Sequence, residues 1–217
     1  MIVAIDGPAG SGKSTIARMV AERLGFNYVN SGNIYRAMTL RALRSSIDPT
    51  NAESIVASSR AASIEYREGK LYLDGSDAED ELHSATVDAV VAQLSAIPEL
   101  RDIVNAHVRQ IAGSADAVVE GRDMTTVVFP DADAKFFLDA SAEARAQRRF
   151  DQGLSAQSFD EIRDNIAMRD VIDRAKSVGA LKIAPDADYL DSSHLTIQEV
   201  YDKVYGKILH LREHNGH

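Results

Sequence analysis

The feature that most constrains this fold is a glycine-rich stretch close to the amino terminus. It matches the pattern G-x-x-x-x-G-K-[ST] and reads Gly7-Pro8-Ala9-Gly10-Ser11-Gly12-Lys13-Ser14. An apolar run at Ile2–Ile5 predicts a buried strand before it. Apolar residues at helical spacing predict a helix over Lys13–Leu24, ended by Gly25. A strand, a glycine-rich turn and a helix in this order direct backbone N–H groups and the positive end of a helix at one anion.

The residue types in this loop suit a polyphosphate. Glycine lets the backbone approach a ligand closely, Lys13 can reach the β- and γ-phosphates, and the Ser14 hydroxyl can hold a magnesium ion. The alternative is a glycine-rich helix start without a ligand, but the position between a strand and a helix favours a nucleoside triphosphate. The chain has no guanine-reading N-K-x-D segment and is short for a motor ATPase. A small kinase remains, and it needs a second anion site and a mobile, arginine-rich cover.

The rest of the apolar pattern predicts an α/β fold, in which strands alternate with helices around an open parallel sheet. Further strands are predicted at Phe26–Val29, Ala117–Glu120, Ala134–Leu138 and Tyr189-Leu190. Helices are predicted at Ile34–Leu43 (after a Ser31-Gly32 cap and turn), Ala85–Ser95, Glu99–Ala112, from the Ser141 cap to Phe150, Phe159–Lys176 and Ile197–Leu211. An acidic stretch, residues 45–83, reads as a small insertion with a hairpin of Ser63–Arg67 and Lys70–Leu73 around Glu68-Gly69, and 152–155 reads as a loop.

Composition narrows the function classes. There is no cysteine, so disulfides, thiolate metal ligands and a cysteine nucleophile are excluded, and a reducing cytoplasmic location is expected. The net charge of −9 argues against a nucleic-acid or anionic-membrane partner. No secretory signal and no apolar run of membrane-spanning length is seen. The basic residues are nevertheless concentrated at residues 13–44 and the acidic residues at 48–81. The basic stretch could therefore still bind one compact anion.

Three segments are candidates for the second anion site and the cover. Tyr35 and Arg36 follow the second predicted strand, and Arg122 and Asp123 follow the predicted strand Ala117–Glu120. Arginine offers a planar fork for phosphate oxygens, and Asp123 could accept a hydrogen bond from a base or a ribose. The third segment, residues 145–176, is rich in arginine with interspersed acids. Each segment also has an interpretation without a ligand. The first could be a capped amphipathic helix, the second a surface ion pair, and the third an exposed helix held by salt bridges.

Taken together, these segments resemble the bacterial cytidylate kinase family of nucleoside monophosphate kinases, over roughly residues 2–209. The resemblance is carried by Ile5–Ser14, Ser31–Arg36, Glu120–Met124 with Val127–Pro130, Phe136–Ser141, Arg148-Arg149, Arg169-Asp170 and Asp173-Arg174. It implies one kinase domain over residues 1–217 with the P-loop nucleoside monophosphate kinase fold. In that fold a core (1–44 and 84–217) carries a monophosphate-binding insertion (about 45–83) and a lid (about 148–176).

The resemblance also implies transfer of the γ-phosphate of ATP to CMP or dCMP with magnesium, and site residues for it. ATP would be held by Gly7, Pro8, Ala9, Gly10, Ser11, Gly12, Lys13, Ser14 and Thr15, with Ser14 on the metal. CMP would be held by Ser31, Tyr35, Arg36, Arg101, Arg122, Asp123, Arg169 and Asp173. Catalytic cations would be Lys13, Arg122 and three lid residues, Arg148, Arg149 and Arg174. We expect small-molecule substrates, no nucleic acid, no membrane and a monomer.

Some positions depart from the family pattern. Thr125 stands where the family usually has glycine, Ala92 replaces a serine near the cytosine pocket, and Ile172 and Lys176 replace lid arginines. These changes bear on cytosine stringency and on closure of the lid. A kinase of another small acceptor, such as UMP, a deoxynucleotide or shikimate, stays open, as do a nucleotide-sensing binding protein and a nucleic-acid-dependent ATPase. The role of the tail histidines His210, His214 and His217 is left open.

Overall fold

A computed structural model describes residues 1–67, 70–113, 115–153 and 157–215. The turn expected at Glu68-Gly69, part of the loop expected at 152–155, and His217 lie outside the described residues. The chain divides into two compact units, one formed by Met1–Tyr28 with Ala115–His217 and the other by Val29–Ser114. Within the described residues, no helix is both long enough and apolar enough to cross a membrane.

The larger sheet has five strands. Its strands are β1 (Ile2–Asp6), β2 (Asn27–Asn30), β6 (Ala117–Gly121), β7 (Ala134–Asp139) and β8 (Asp188–Asp191), in the order β2-β6-β1-β7-β8. β1 lies in the centre and pairs in parallel with β6 and β7, and β7 pairs in parallel with β8. The carboxyl ends of these strands therefore meet at one edge, where the ligands of open parallel sheets bind.

Helices flank this sheet and complete its core. They are α1 (Lys13–Leu24), α6 (Ala142–Asp151), α7 (Phe159–Ala175) and α8 (Ile197–Asn215), and a short π-helical turn spans Met124–Val128. Buried side chains of β1, β6, β7, α1 and α8 form one apolar cluster, among them Ile5, Ile16, Leu138 and Ile208. The parallel-sheet, helix-flanked fold predicted from the sequence is thus confirmed.

The second unit combines four helices and a small antiparallel sheet. The helices are α2 (Ser31–Arg44), α3 (Ala52–Arg60), α4 (Ala85–Leu94) and α5 (Pro98–Ala112), and the sheet order is β3 (Ile64–Arg67), β4 (Lys70–Leu73), β5 (Ser76–Asp77). The hairpin strands agree with the predicted ones, whereas α3 was not predicted. α2 also begins earlier than expected: the Asn30 side chain accepts from the Asn33 backbone N–H and caps the helix, so Ser31 and Gly32 belong to its first turn.

Candidate functional site

The glycine-rich loop joins β1 to α1 and has the backbone that its sequence predicts. Gly12 adopts a left-handed φ of +93° immediately before the helix, a conformation that favours glycine. Gly7 is required for another reason, because a Cβ placed there would lie 2.0 Å from the carbonyl oxygen of Leu138 on β7. Only a glycine lets the chain leave β1 this close to its neighbouring strand.

Lys13 is buried at the start of α1. Its Nζ donates to the Pro8 carbonyl oxygen at 3.2 Å, so the side chain folds back across the loop, and Nζ lies 4.0 Å from the Glu120 carboxylate. Burial and, to a smaller extent, the charge of Arg122 lower the pKa of Lys13 to about 7, while the Glu120 carboxylate opposes the change. A cation that is poorly solvated in this way gains strongly from an added phosphate anion.

Two carbonyl oxygens of the loop contact side chains that sequence reasoning did not assign. The Arg145 guanidinium donates to the Ala9 carbonyl at 3.2 Å and makes a two-pronged ion pair with Asp170 at 2.5 and 3.0 Å. The buried Ser192 hydroxyl lies 3.2 Å from the Ser11 carbonyl oxygen and 2.9 Å from that of Asp139, and its single hydrogen can be donated to either. Arg145 was visible only as one basic residue among several, and Ser192 had no sequence signal, since its partners are far away along the chain.

Arg148, expected in the lid, packs against the same loop. Its guanidinium donates to the Ser11 carbonyl at 3.4 Å, to the Ser192 hydroxyl at 3.2 Å and, at short range, to the Ser192 carbonyl. Two other residues expected in the lid, Arg149 and Arg174, are exposed. The three arginines therefore differ in placement: one contacts the backbone of the glycine-rich loop and two face solvent.

Asp6, directly before the glycine-rich loop, connects it to the loop that follows β6. The buried Asp6 carboxylate accepts from the backbone N–H of Met124 at 2.9 Å, from that of Thr125 at 2.8 Å and from the Thr125 hydroxyl at 2.6 Å. Burial raises the pKa of Asp6 to about 6, and these hydrogen bonds limit the rise. Thr125, noted in the sequence only as a departure, is the side-chain partner of this carboxylate.

Arg122 and Asp173, both expected at the CMP, form an ion pair with each other in the first unit. Arg122 Nε lies 3.0 Å from an Asp173 carboxylate oxygen, and Lys176 Nζ lies 2.9 Å from the other. Burial raises the pKa of Asp173, but the two cations outweigh it and the net effect is a lowered pKa. Arg169 lies close enough to lower the pKa of Lys13. Asp123, next to Arg122 in the loop after β6, is buried with 2 % exposure.

The second unit holds the other expected substrate residues on two helices. Ser31 and Tyr35 are buried on α2, and the Arg101 guanidinium of α5 lies 5.6 Å from the centre of the Tyr35 ring. Arg101 also donates to the Ser95 carbonyl at 3.1 Å. Arg36 donates to the Leu82 carbonyl at 2.9 Å and to Asp88 at 2.6 Å. An anion that takes Arg36 must therefore compete with a half-exposed carboxylate.

Comparison with known proteins identifies the family. The cytidylate kinase family model matches residues 3–210. A cytidylate kinase of Caldanaerobacter subterraneus subsp. tengcongensis is 40% identical over 210 residues, 95% of this chain and 93% of that protein. One of Mycolicibacterium paratuberculosis is 39% identical over 221 residues, 98% of this chain and 94% of that protein. A shikimate kinase structure from Bacteroides thetaiotaomicron, 12% identical, superposes with a TM-score of 0.49 over 98% of both chains. This chain belongs to the cytidylate kinase family, a family of phosphotransferases.

Proposed function

We propose that this chain transfers the γ-phosphate of ATP to CMP or dCMP, giving ADP and CDP or dCDP. The observation that carries the proposal is the buried, partly desolvated Lys13 inside an intact glycine-rich loop, in a chain whose relatives are named cytidylate kinases. A CMP phosphate oxygen forms the new bond to the γ-phosphorus. The bond from that phosphorus to the β–γ bridging oxygen breaks in line, and ADP leaves.

The donor side is formed by the loop Gly7–Thr15. Its backbone N–H groups and the start of α1 face the polyphosphate, and Lys13 adds a charge that burial has left poorly solvated. Monoester phosphates are already ionised near neutral pH, so this transfer needs no general base. Catalysis then depends on positioning and on cations around the charge that develops on the transferred group.

Magnesium fits this loop in the manner usual for nucleotide enzymes. Ser14 places an oxygen ligand directly after Lys13, and Mg²⁺ prefers oxygen ligands and takes most of the others from substrate phosphates and water. When bound, the ion supplies charge neutralisation at the phosphates. Ser14 is the residue that we assign to it.

The acceptor side is assigned residue by residue. We assign Arg36, Arg101 and Arg122 to the CMP phosphate, and Ser31, Asp123, Arg169 and Asp173 to the cytosine and ribose. Tyr35, which packs under Arg101, is also placed at the CMP. Residues 45–83 would be the monophosphate-binding insertion. Residues 148–176 would be a lid that closes over the phosphates and excludes water, with Arg149 and Arg174 as its mobile cations.

A panel of acceptors tests this function. CMP, dCMP, UMP, AMP and shikimate are each supplied with ATP and magnesium, and ADP release and the phosphorylated product are measured. We expect CMP and dCMP to give the highest kcat/KM. A different best acceptor would replace the substrate assignment, ADP release only with RNA or DNA present would indicate a nucleic-acid-dependent ATPase, and tight ATP binding without any product would indicate a nucleotide sensor.

Two substitutions test the residue assignments. Lys13→Ala should abolish turnover in a folded protein, because the loop loses its only internal cation. Asp123→Ala should weaken CMP binding more than ATP binding by calorimetry. The matched control is Asp131→Ala, which removes an exposed carboxylate eight positions along the chain and should leave both affinities as they are. Unchanged CMP affinity in the Asp123 variant would remove this residue from the substrate site.

A further inference from the structure

The contact between Asp6 and Thr125 joins the glycine-rich loop, which carries Lys13, to the loop that carries Arg122 and Asp123. Asp6 is the last residue of β1 and directly precedes the glycine-rich loop. Thr125 lies two residues after Asp123, in the π-helical turn that follows β6. Three donors converge on the Asp6 carboxylate, and both residues are buried, with exposures of 0 % and 1 %. No other side chain donates to this carboxylate among the described residues.

This arrangement defines how the second loop lies on the first. Two of the donors are backbone N–H groups, so the Asp6 carboxylate fixes the path of the chain immediately after Arg122 and Asp123. The third, the Thr125 hydroxyl, is the shortest of the three at 2.6 Å and is charge-assisted. Hydrogen bonds to a buried carboxylate are directional, and losing one leaves the others to hold a charge that water cannot reach.

We propose that Thr125 is a positioning residue for phosphoryl transfer: its hydroxyl holds Asp6, and through Asp6 it sets the loop bearing Arg122 and Asp123 against the glycine-rich loop. This inference rests on the proposed function, because that function assigns the loop bearing Arg122 and Asp123 to the acceptor and the glycine-rich loop to the donor. Small displacements between such groups cost rate, and a shift of about 1 Å can cost about a hundredfold.

Thr125→Val keeps the size and branching of the side chain and removes only the hydroxyl. We expect kcat/KM for CMP to fall by about tenfold or more, with the ATP dissociation constant, measured without CMP, unchanged within about twofold. Thr125→Ser restores the hydroxyl and should recover most of the lost rate. The matched control, Thr126→Val, alters the half-buried neighbour in the same turn and should behave as wild type.

Several outcomes would overturn the inference. It fails if wild type phosphorylates CMP and Thr125→Val does so equally well, or if the serine variant is as slow as the valine variant. It also fails if ATP binding and CMP turnover fall together in a valine variant whose thermal transition is unchanged, since the defect would then lie in the donor loop itself. If the wild type phosphorylates another acceptor only, the proposed function is wrong, and the same variants are then compared with that acceptor.

A second, independent inference concerns the last turns of α8. His210, Glu213 and His214 are exposed, and one ligand atom from each lies within 4.8 Å of the other two. His214 Nδ1 lies 2.8 Å from the His210 carbonyl oxygen. A carbonyl can only accept, so Nδ1 carries the proton and the free lone pair is on Nε2. This backbone contact is the usual outer-sphere partner of a metal-bound imidazole.

We infer that this cluster, His210, Glu213 and His214, binds one divalent transition-metal ion. Two imidazoles four positions apart on a helix, with a carboxylate between them, offer two nitrogen ligands of intermediate softness and one oxygen ligand. Such ligands favour Zn²⁺, Ni²⁺ or Cu²⁺ over Mg²⁺. The helix end is held in place, because Ile208 lies in the core and the Arg212 guanidinium lies 5.6 Å from the centre of the Phe26 ring. The carboxyl end of a helix also favours a cation.

Calorimetric titration of ZnCl₂ into tag-free, nucleotide-free protein tests this site. We expect one saturable ion per chain, and His210→Ala or His214→Ala should each weaken it by about tenfold or more. His194→Ala, at an exposed histidine outside the cluster, is the control and should bind as wild type does. The absence of saturable binding would overturn the inference, as would wild-type affinity in both cluster variants.

Discussion

Replacing Lys13 with methionine should stabilise the nucleotide-free protein while destroying its activity. The pKa of this buried ammonium falls from 10.5 to about 7. At 1.36 kcal/mol per pKa unit, keeping the fully charged lysine in the folded state costs about 5 kcal/mol of stability. At pH 7, where half of the folded molecules have released this proton, the cost is about 4 kcal/mol. Methionine has a similar length and no charge to desolvate. The lost hydrogen bond to Pro8, worth about 1 kcal/mol, reduces the gain.

The dependence of this gain on pH separates the electrostatic cause from a packing effect. Between pH 7 and 10.5 the unfolded chain keeps the lysine proton and the folded chain has released it. The contribution of Lys13 to the free energy of unfolding of the wild type therefore rises with pH. The advantage of Lys13→Met should consequently be about 3 kcal/mol smaller at pH 9.5 than at pH 7.

Urea unfolding followed by circular dichroism at both pH values measures the difference, and other titrating groups cancel between the two proteins. The matched control is Lys203→Met, which replaces an exposed lysine on α8 and should give the same small change at both pH values. The reasoning is refuted if Lys13→Met is less stable than wild type at pH 7, or if its gain in the free energy of unfolding does not change with pH.

Three further results are expected. Gly7→Ala should cost activity and stability, because its Cβ would lie 2.0 Å from the Leu138 carbonyl; thermal melting and turnover report both. Arg145→Met leaves the Asp170 carboxylate without its arginine partner and should lower the free energy of unfolding by about 3 kcal/mol. The double variant Arg145→Met with Asp170→Leu should recover most of this loss in a double-mutant cycle. The pKa of Asp6 is raised from 3.8 to about 6, so its contribution to stability is full below about pH 4 and is lost as pH rises through 6. In Asp6→Asn, the urea midpoint of unfolding should change less with pH between about 4 and 6.

The local pattern was sufficient for the elements around the glycine-rich loop. β1 and α1 lie where the apolar run and the helical spacing put them, and α1 begins at Lys13 and ends before Gly25, which caps it in a left-handed conformation. These are strong local signals, because a buried parallel strand needs an apolar run and a helix needs apolar residues on one face.

The same reasoning missed α3 because its sequence is weakly helical by itself. Ala52–Arg60 contains three serines and no long apolar stripe. The helix is stabilised by contacts with distant residues: Ile55 is fully buried, and α3 packs on α2 and α5. At α2, two adjacent residues could each act as a cap, and the choice of Asn30 over Ser31 depended on where β2 ended.

By itself, the sequence determined the parallel-sheet fold, the glycine-rich loop and the family, since each depends on residues that are contiguous or on the order of motifs. Only the tertiary structure decided the chemical state and the supports of the loop. The lowered pKa of Lys13 comes from burial and from Arg122, more than a hundred positions away. The Asp6 contact with Thr125 and the Ser192 contact with the loop likewise join residues separated by more than a hundred positions. Desolvation and hydrogen bonding depend on three-dimensional neighbours, and for these groups the neighbours are distant along the chain.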